Sequence, residues 1–168
     1  MHKINIPPDI IDRCIRRRGR RYLFNELHPQ STALLVVDMQ NCFVLPGLSH
    51  VEVPGVAAIA PNINAIAKAM RQVGGHVVWT QHVYTADWSS WHDHFTNEET
   101  RRAIVADTAE GSVGRQIWEG MDVLDDEPLV PKTRSSAFAP TASELKTVLD
   151  NRGVDTLIIT GTLTNVCC

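Results

Sequence analysis

The stretch Thr32-Ala33-Leu34-Leu35-Val36-Val37-Asp38 decides the fold. It is an uninterrupted apolar run rich in branched side chains. Such a run is typical of a strand buried on both faces, whereas an edge strand would alternate apolar and polar residues. Because strands of this kind occur in parallel sheets covered by helices, a parallel sheet is expected here. The run ends at an acid, so Asp38 should lie just beyond the carboxyl end of the strand.

The remaining chain alternates further strands with helices. Strands are predicted at 76–81, 129–132 and 155–161, and helices at 59–70 and 143–149. The strands at 76–81 and 155–161 are also apolar enough to be buried, while Pro131 suits the end of a strand rather than its centre. Alternation of this kind predicts an α/β fold of three α-β-α layers around a mostly parallel sheet, with right-handed crossovers.

Composition and charge narrow the class of protein. The chain has 168 residues, enough for one domain with a single large core. Its net charge of -3, from 16 basic and 19 acidic residues, argues against a nucleic-acid partner. No apolar run is long enough to cross a membrane. The 4 cysteines form no CxxC pair and two are adjacent, which indicates reduced thiols and a cytoplasmic protein.

Residues 1–30 differ from the predicted domain at 31–168 and are interpreted as an arm. Six arginines cluster between Arg13 and Arg21. Ile10, Ile11, Cys14 and Ile15 lie beside them at helical spacing. The pattern predicts an amphipathic helix that packs on a partner subunit or on its own domain, in preference to binding an anionic surface.

The predicted sheet brings different ionisable groups to one edge. Parallel strands end at a common rim, which should hold Asp38, Gln81, Lys132 and the turn 161–168. Each residue alone has an ordinary structural explanation. An acid, an amine and a thiol together are what covalent acyl chemistry requires, because a thiol with a pKa near about 8.5 needs a base and a cation to become a nucleophile.

Three separated blocks resemble one family, the isochorismatase-like cysteine hydrolases, which include nicotinamidases, N-carbamoylsarcosine amidohydrolase and ureidoacrylate hydrolases. The blocks run from Ala33 to Phe43, with Asp-Met-Gln-Asn-Cys-Phe at 38–43, from Val130 to Phe138, and from Ile159 to Cys167. Their order and spacing agree with the family over roughly residues 32 to 168.

The resemblance implies a role for each block. Asp38 would be the general base, Lys132 the stabiliser of thiolate and transition state, and Cys167, not Cys168, the nucleophile. It also implies a cis peptide between Thr162 and Leu163 and an oxyanion hole formed by the N–H groups of Leu163 and Cys167. The reaction implied is hydrolysis of a carbon–nitrogen bond in a small amide, ureido or carbamoyl compound through a thioester, with release of ammonia.

The sequence gives less information about substrate contacts and cofactors than about the catalytic groups. The expected substrate-binding residues are Phe43, Gln81, Trp88 and Arg134, the last of which could pair with a carboxylate. Some relatives bind a metal through an Asp-x-His pair after the second strand, and Thr80-Gln81-His82 lacks that pair. Polar loop histidines or pocket walls are therefore the favoured interpretation of His82, His92 and His94, and no cofactor or metal is predicted.

Three further expectations follow from the resemblance. The chain stops one residue after Cys167, where the family continues into a helix, so a truncated sequence is expected. A homo-oligomer, dimer or tetramer, is expected. Two alternatives to the amidohydrolase stay open: an isochorismate-type vinyl ether hydrolase, and a catalytically inactive interaction module.

Overall fold

A computed structural model describes residues 5–24, 26–85 and 97–168. Its strands are β1 Thr32–Val37, β2 His76–His82, β3 Leu129–Lys132 and β4 Thr156–Gly161. Its helices are α1 Pro8–Arg18, α2 Asn41–Val44, α3 Ala60–Gln72, α4 Glu98–Asp107 and α5 Leu145–Asp150, with short 3-10 turns at Pro29–Ser31 and Val56–Ile59. The predicted elements are present, each within a few residues of its expected bounds.

The four strands form one sheet in the order β3-β2-β1-β4. All three strand pairs are parallel, with β1 paired along its length to β4 and through most of its length to β2. The α/β prediction is confirmed. In β3, Pro131 lies within the strand, and an edge position tolerates it because one side of β3 needs no donor.

Helices cover both faces of the sheet and divide the core in two. On one face, α3 packs through Ala60, Ile63, Ala67 and Met70 against residues that include Trp79. On the other face, α5 packs through Leu145 and Leu149 against alternate residues of β1, β2 and β3. Every residue of β1 is buried, as the continuous apolar run predicts.

The prediction of a fully buried strand at 155–161 is wrong. β4 is the edge of the sheet opposite β3, and most of its residues are only half-buried. Ile159 is 47% exposed. The apolar run correctly predicts a strand of the parallel sheet. Hydrophobicity alone, however, does not show whether a helix covers a given strand.

The arm forms the predicted helix but does not pack against the domain as far as the described residues show. No residue of α1 is buried, and the helix ends at Gly19, whose φ of 72° suits glycine. Ile10, Ile11 and Cys14 line a groove together with other arm residues. Within residues 5–24, 26–85 and 97–168, every helix is too short or too polar to span a lipid bilayer.

Candidate active site

The carboxyl ends of the four strands meet at one edge, as predicted. β1 leads into Asp38, β2 ends at His82, β3 ends at Lys132 and β4 leads into the turn that carries Cys167. His82 and Lys132 are register partners in neighbouring strands. Asp38, Lys132 and His82 are all buried, with 0%, 0% and 2% of their surfaces exposed.

Backbone conformation turns the chain out of the sheet at both strands that carry the acid and the thiol. Asp38 has a φ of 51°, in the left-handed region that few non-glycine residues adopt. Gly161, with a φ of 103°, lies so close to β1 that a Cβ atom would stand 2.1 Å from the Val37 carbonyl oxygen. Glycine is therefore required there, and Thr162 N–H donates to the same Val37 oxygen at 3.0 Å.

Asp38 and Lys132 form a buried ion pair. Lys132 Nζ lies 2.7 Å from Asp38 Oδ2. The other carboxylate oxygen, Oδ1, accepts a hydrogen bond of 2.7 Å from Thr80 Oγ1. Among the described residues, Oδ2 is the one buried side-chain polar atom without a hydrogen bond of good geometry. The ammonium therefore pairs with it by charge, and Oδ2 keeps a lone pair for another donor.

The Lys132 ammonium gives its hydrogen bonds to other groups. Nζ lies 3.1 Å from His82 Nδ1 and donates to the carbonyl oxygens of Arg134 at 3.1 Å and Ser135 at 3.0 Å. These three acceptors match the three N–H groups of an ammonium. The loop after β3 thus folds back to hold the side chain of the strand's last residue.

Cys167 completes the cluster. Its Sγ lies 3.9 Å from His82 Nδ1. The sulfur, that nitrogen and a carboxylate oxygen of Asp38 all lie within 4.8 Å of one another. The sequence-predicted acid, amine and thiol are therefore brought together. Cys168, by contrast, is exposed and its Sγ is directed to the Thr160 carbonyl oxygen.

Electrostatics keep Cys167 protonated at rest. Its pKa is raised to about 12, first by burial and then by the negative charge of Asp38, against a smaller lowering by Lys132. Taking the thiol into low dielectric disfavours the thiolate, and a neighbouring carboxylate adds to that effect. The cluster consequently holds a neutral thiol beside a carboxylate with a spare lone pair.

The same atoms offer a carboxylate oxygen, an imidazole nitrogen and a sulfur, which is a donor set that zinc accepts. The Lys132 ammonium lies at close range to two of the three, as the distances above show. A divalent ion would have to displace that ammonium from both. The arrangement therefore favours the lysine as the resident cation.

The turn after β4 bears on the predicted oxyanion hole. The peptide between Thr162 and Leu163 is cis, as the resemblance implies. Residues 164–167 form hydrogen-bonded turns rather than an α-helix. The N–H groups of Val166, Cys167 and Cys168 all donate to the Leu163 carbonyl oxygen, the Cys167 bond being 3.0 Å long. The Cys167 N–H is thus engaged, and its predicted role requires it to leave that oxygen or share it.

A small cleft of about 50 Å³ opens beside Cys167. Its walls include Thr80, Ala137, Phe138 and Ile159. A larger cavity of about 430 Å³ lies elsewhere, around Arg71, His76 and Glu127, near the amino ends of β2 and β3. We base the site on the smaller cleft because the ionisable cluster is there.

Of the four predicted substrate-binding residues, the three that the structure describes, Phe43, Gln81 and Arg134, do not line this cleft. The Gln81 side chain donates to the Arg115 carbonyl oxygen, and Phe43 is a core residue that is 6% exposed. The Arg134 guanidinium donates to the Thr133 carbonyl oxygen. Trp88 lies outside the described residues, as do His92 and His94. Substrate binding by these residues stays a prediction that the cleft does not support.

Sequence reasoning misplaced two residues of β2. The strand was predicted to end at Gln81, with Gln81 on the active edge and His82 in a loop. Since the strand continues to His82, alternation places Val78, Thr80 and His82 on the face of Lys132, and Gln81 on the opposite face. A strand longer by one residue, together with its period of two, would have found both Thr80 and His82.

Comparisons with known proteins agree with this geometry. Residues 32–168 match the model of the isochorismatase domain. The chain is 33% identical over 153 residues to "Ureidoacrylate amidohydrolase RutB" of Methylorubrum extorquens, covering 82% of this chain and 60% of that protein. It is 32% identical over 139 residues to an Arabidopsis thaliana protein named "Probable inactive nicotinamidase", with coverage of 82% and 69%.

A solved structure shares the fold. The crystal structure of a cysteine hydrolase from Pseudomonas syringae pv. phaseolicola superposes with a TM-score of 0.72 at 29% identity, covering 84% of this chain and 64% of that one. The chain thus spans less than two thirds of the length of that structure and of the ureidoacrylate amidohydrolase. With most of its length matched by the domain model, the chain belongs to the isochorismatase family.

Proposed function

We propose that this protein is a cysteine-dependent amidohydrolase. It cleaves a carbon–nitrogen bond of a small amide, ureido or carbamoyl compound and releases ammonia. The observation that carries the proposal is the buried Asp38–Lys132 pair at 2.7 Å, with the Cys167 sulfur in the same cluster. A carboxylate, an ammonium and a thiol in one small cleft are the groups that a thioester mechanism needs.

The first half of the reaction forms the thioester. Cys167 Sγ attacks the carbonyl carbon while its proton passes to Asp38 Oδ2, the oxygen without a hydrogen bond. The carbon–sulfur bond forms and negative charge moves to the carbonyl oxygen. When the carbon–nitrogen bond breaks, the nitrogen takes the proton from Asp38 and leaves as ammonia. A thioester and an ionised Asp38 remain.

The second half consumes water. Asp38 takes a proton from a water molecule, whose oxygen attacks the thioester carbon. The carbon–sulfur bond breaks and Cys167 takes the proton from Asp38, which is ionised again. A carboxylic or carbamic acid is released. Lys132 keeps positive charge beside the sulfur while that atom carries negative charge, which offsets the cost of charging a buried thiol.

The raised pKa of Cys167 makes the base essential. A thiol whose pKa is about 12 is almost entirely protonated at neutral pH. A preformed thiolate therefore supplies little of the reaction, and the proton must leave as the carbon–sulfur bond forms. This requirement favours transfer to Asp38 during the attack.

An oxyanion hole formed by the N–H groups of Leu163 and Cys167 is part of the proposal. Two backbone donors at the carbonyl oxygen would stabilise the tetrahedral intermediate. The Leu163 N–H has no hydrogen bond among the described residues. The Cys167 N–H now donates to Leu163 and would turn toward the substrate on binding.

Names of relatives support the substrate class. Proteins named ureidoacrylate amidohydrolase are among those that resemble this chain at 30% identity or more. A cleft as small as the one beside Cys167 suits a compact amide or carbamoyl group. The relative named an inactive nicotinamidase keeps the alternative of an inactive protein open to test.

The test is an ammonia-release screen of the purified protein over small amides, ureas and N-carbamoyl amino acids. At least one compound should release ammonia, and the activity should disappear after iodoacetamide alkylates Cys167. The same screen includes a vinyl ether substrate, whose cleavage need not depend on the thiol. Failure of every amide while the vinyl ether is cleaved would contradict the proposal, and failure of all compounds would favour an inactive protein.

Assembly, location and partners extend the proposal. We expect a homo-oligomer, a dimer or tetramer, in the cytoplasm, that binds neither nucleic acid nor membranes. The apolar side of α1, a helix none of whose residues is buried in the described structure, supports assembly. Light scattering during size-exclusion chromatography checks the state, and a monomer at all concentrations would contradict it.

A further inference from the structure

His82 is a buried group that the proposed reaction does not use. It lies at the end of β2, 2% exposed, and its ring stacks on Tyr84 with centroids 4.1 Å apart and planes 15° from parallel. The stack and the strand hold the ring in one orientation. Its Nδ1 atom points into the cluster of Asp38, Lys132 and Cys167.

The contacts of His82 Nδ1 rank clearly by distance. The Lys132 ammonium is 3.1 Å away, whereas Asp38 Oδ2 and Cys167 Sγ are both at 3.9 Å. An ammonium can only donate, so Nδ1 is the acceptor and carries no proton. Its one lone pair lies in the ring plane and is used by the shorter contact. It is therefore not free to take the thiol proton.

His82 is also distinctive among the acceptors of Lys132. The other two are carbonyl oxygens of Arg134 and Ser135, in the loop directly after the lysine. Those acceptors pull the ammonium toward its own loop. Among the described residues, it is the His82 side chain that accepts a hydrogen bond from Lys132 Nζ across the pair of strands β2 and β3. It therefore fixes where the ammonium lies between Asp38 and Cys167.

This contact matters most when the ion pair is lost. In the proposed reaction Asp38 becomes neutral as it takes the thiol proton, so its charge no longer holds Lys132. The contact of His82 Nδ1 with the ammonium does not depend on the Asp38 charge, so this hydrogen bond is kept. We propose that His82 is a positioning residue, which holds the Lys132 ammonium beside the Cys167 sulfur both at rest and after Asp38 has been neutralised. The inference rests on the proposed function for the timing of that step.

Alkylation of Cys167 tests this role without any substrate. The rate of reaction with iodoacetamide reports how well the protein stabilises the thiolate, and peptide mass spectrometry separates Cys167 from Cys14, Cys42 and Cys168. His82→Leu removes the acceptor and should slow alkylation of Cys167 about tenfold, the usual scale for a hydrogen bond to a charged group. His76→Leu, the same change at the other end of β2, is the matched control and should leave the rate unchanged.

His82→Asn separates positioning from proton transfer. Its amide oxygen can take the place of Nδ1 as an acceptor but is not a base, so the rate should stay within about threefold of wild type. If His82→Asn reacts as slowly as His82→Leu, the positioning role is wrong and His82 takes the proton itself or only fills space. A wild-type rate in His82→Leu also overturns the inference.

A double-mutant cycle adds a second readout that a packing role would not produce. In a Lys132→Met background the ammonium is absent, so His82→Leu should cause no further slowing. Full additivity of the two changes would contradict the proposal. Because these measurements need no turnover, they hold even if the ammonia screen fails. Ammonia release with normal alkylation in His82→Leu would instead spare the proposed function and reject this inference alone.

Discussion

Two ionic clusters lie near opposite ends of β2 and differ in how they are completed. Near its amino end, Arg71 bonds Glu127 and Asp122, and Trp79 Nε1 donates to Glu127 at 2.7 Å. Each buried carboxylate oxygen of Glu127 and Asp122 accepts a hydrogen bond. In the cluster at the carboxyl end of β2, Asp38 Oδ2 lies beside the Lys132 ammonium but accepts no hydrogen bond.

This difference indicates that the Arg71 cluster contributes to stability, whereas the Asp38 cluster is arranged for chemistry. The Arg71 cluster is partly exposed and hydrogen-bonded through both Asp122 and Glu127, so it ties α3 to the loop before β3. The Asp38 cluster places an anion, a cation and a thiol out of water with one acceptor left over. Burying charges in that way is costly unless each is paired. Such an arrangement is better explained by a reaction than by folding.

The largest effect should come from the nucleophile. Cys167→Ala removes the nucleophile of the proposed reaction and should lower ammonia release about 10³-fold or more, because catalytic groups that act together lose most of their effect when one of them is removed. Cys168→Ala is the matched control and should change turnover little, since its side chain is exposed. Loss of activity in Cys168→Ala with activity kept in Cys167→Ala would reverse the assignment.

The second-largest effect should be a loss of stability when the buried Asp38–Lys132 pair is broken. Lys132→Met leaves Asp38 buried without its cation and should lower the free energy of unfolding by about 3–5 kcal/mol, measured by urea denaturation. Lys146→Met removes an exposed pair with Asp150 and should cost at most about 0.5 kcal/mol. Equal costs would mean that the Asp38 charge is not buried in solution.

Arg71→Met should have a smaller effect of a different kind. Glu127 Oε2 keeps donors from Trp79 and Leu124, although Oε1 loses the hydrogen bond from Arg71. We expect a loss of about 1 kcal/mol in unfolding free energy and unchanged turnover. Reduced turnover in a well-folded Arg71→Met protein would show that the two clusters are coupled and would weaken the comparison.

The smallest effect concerns the pH dependence of thiol reactivity. Because the pKa of Cys167 is raised to about 12, its alkylation rate should rise steadily from neutral to alkaline pH without a plateau. Burial also raises the pKa of Cys42 to about 12, and this thiol should stay unmodified in the folded protein. A plateau for Cys167 near neutral pH would show a preformed thiolate instead.

Much of the fold could be predicted from local pattern. The apolar runs at β1 and β2 and the spacing of α3 are signals that a short stretch carries by itself. Placement in the sheet is not such a signal. β4 reads like β1 in sequence, but its exposure depends on which elements cover it, and that is a property of the whole molecule.

The site was predictable in part for the same reason. Asp38 and Lys132 stand at strand ends and Cys167 lies in the turn after β4, so the topology brings all three to one edge of the sheet. His82 was missed because β2 continues one residue beyond its predicted end. Thr80 was missed because alternation along the strand decides which side chains face the cluster, and it places Gln81 on the opposite face. The hydrogen bonds of the Lys132 ammonium depend on how the next loop folds back, which the sequence does not specify.

Asp38 raises the pKa of the Cys167 thiol at rest and, in the proposed reaction, takes its proton during attack. Asp38→Asn separates these two effects in one protein. Alkylation of Cys167 at mildly alkaline pH should become faster, because the charge that raises the thiol pKa is gone. Ammonia release should fall by orders of magnitude, because the base is gone. Alkylation that slows in step with turnover, or turnover that survives, would contradict the claim.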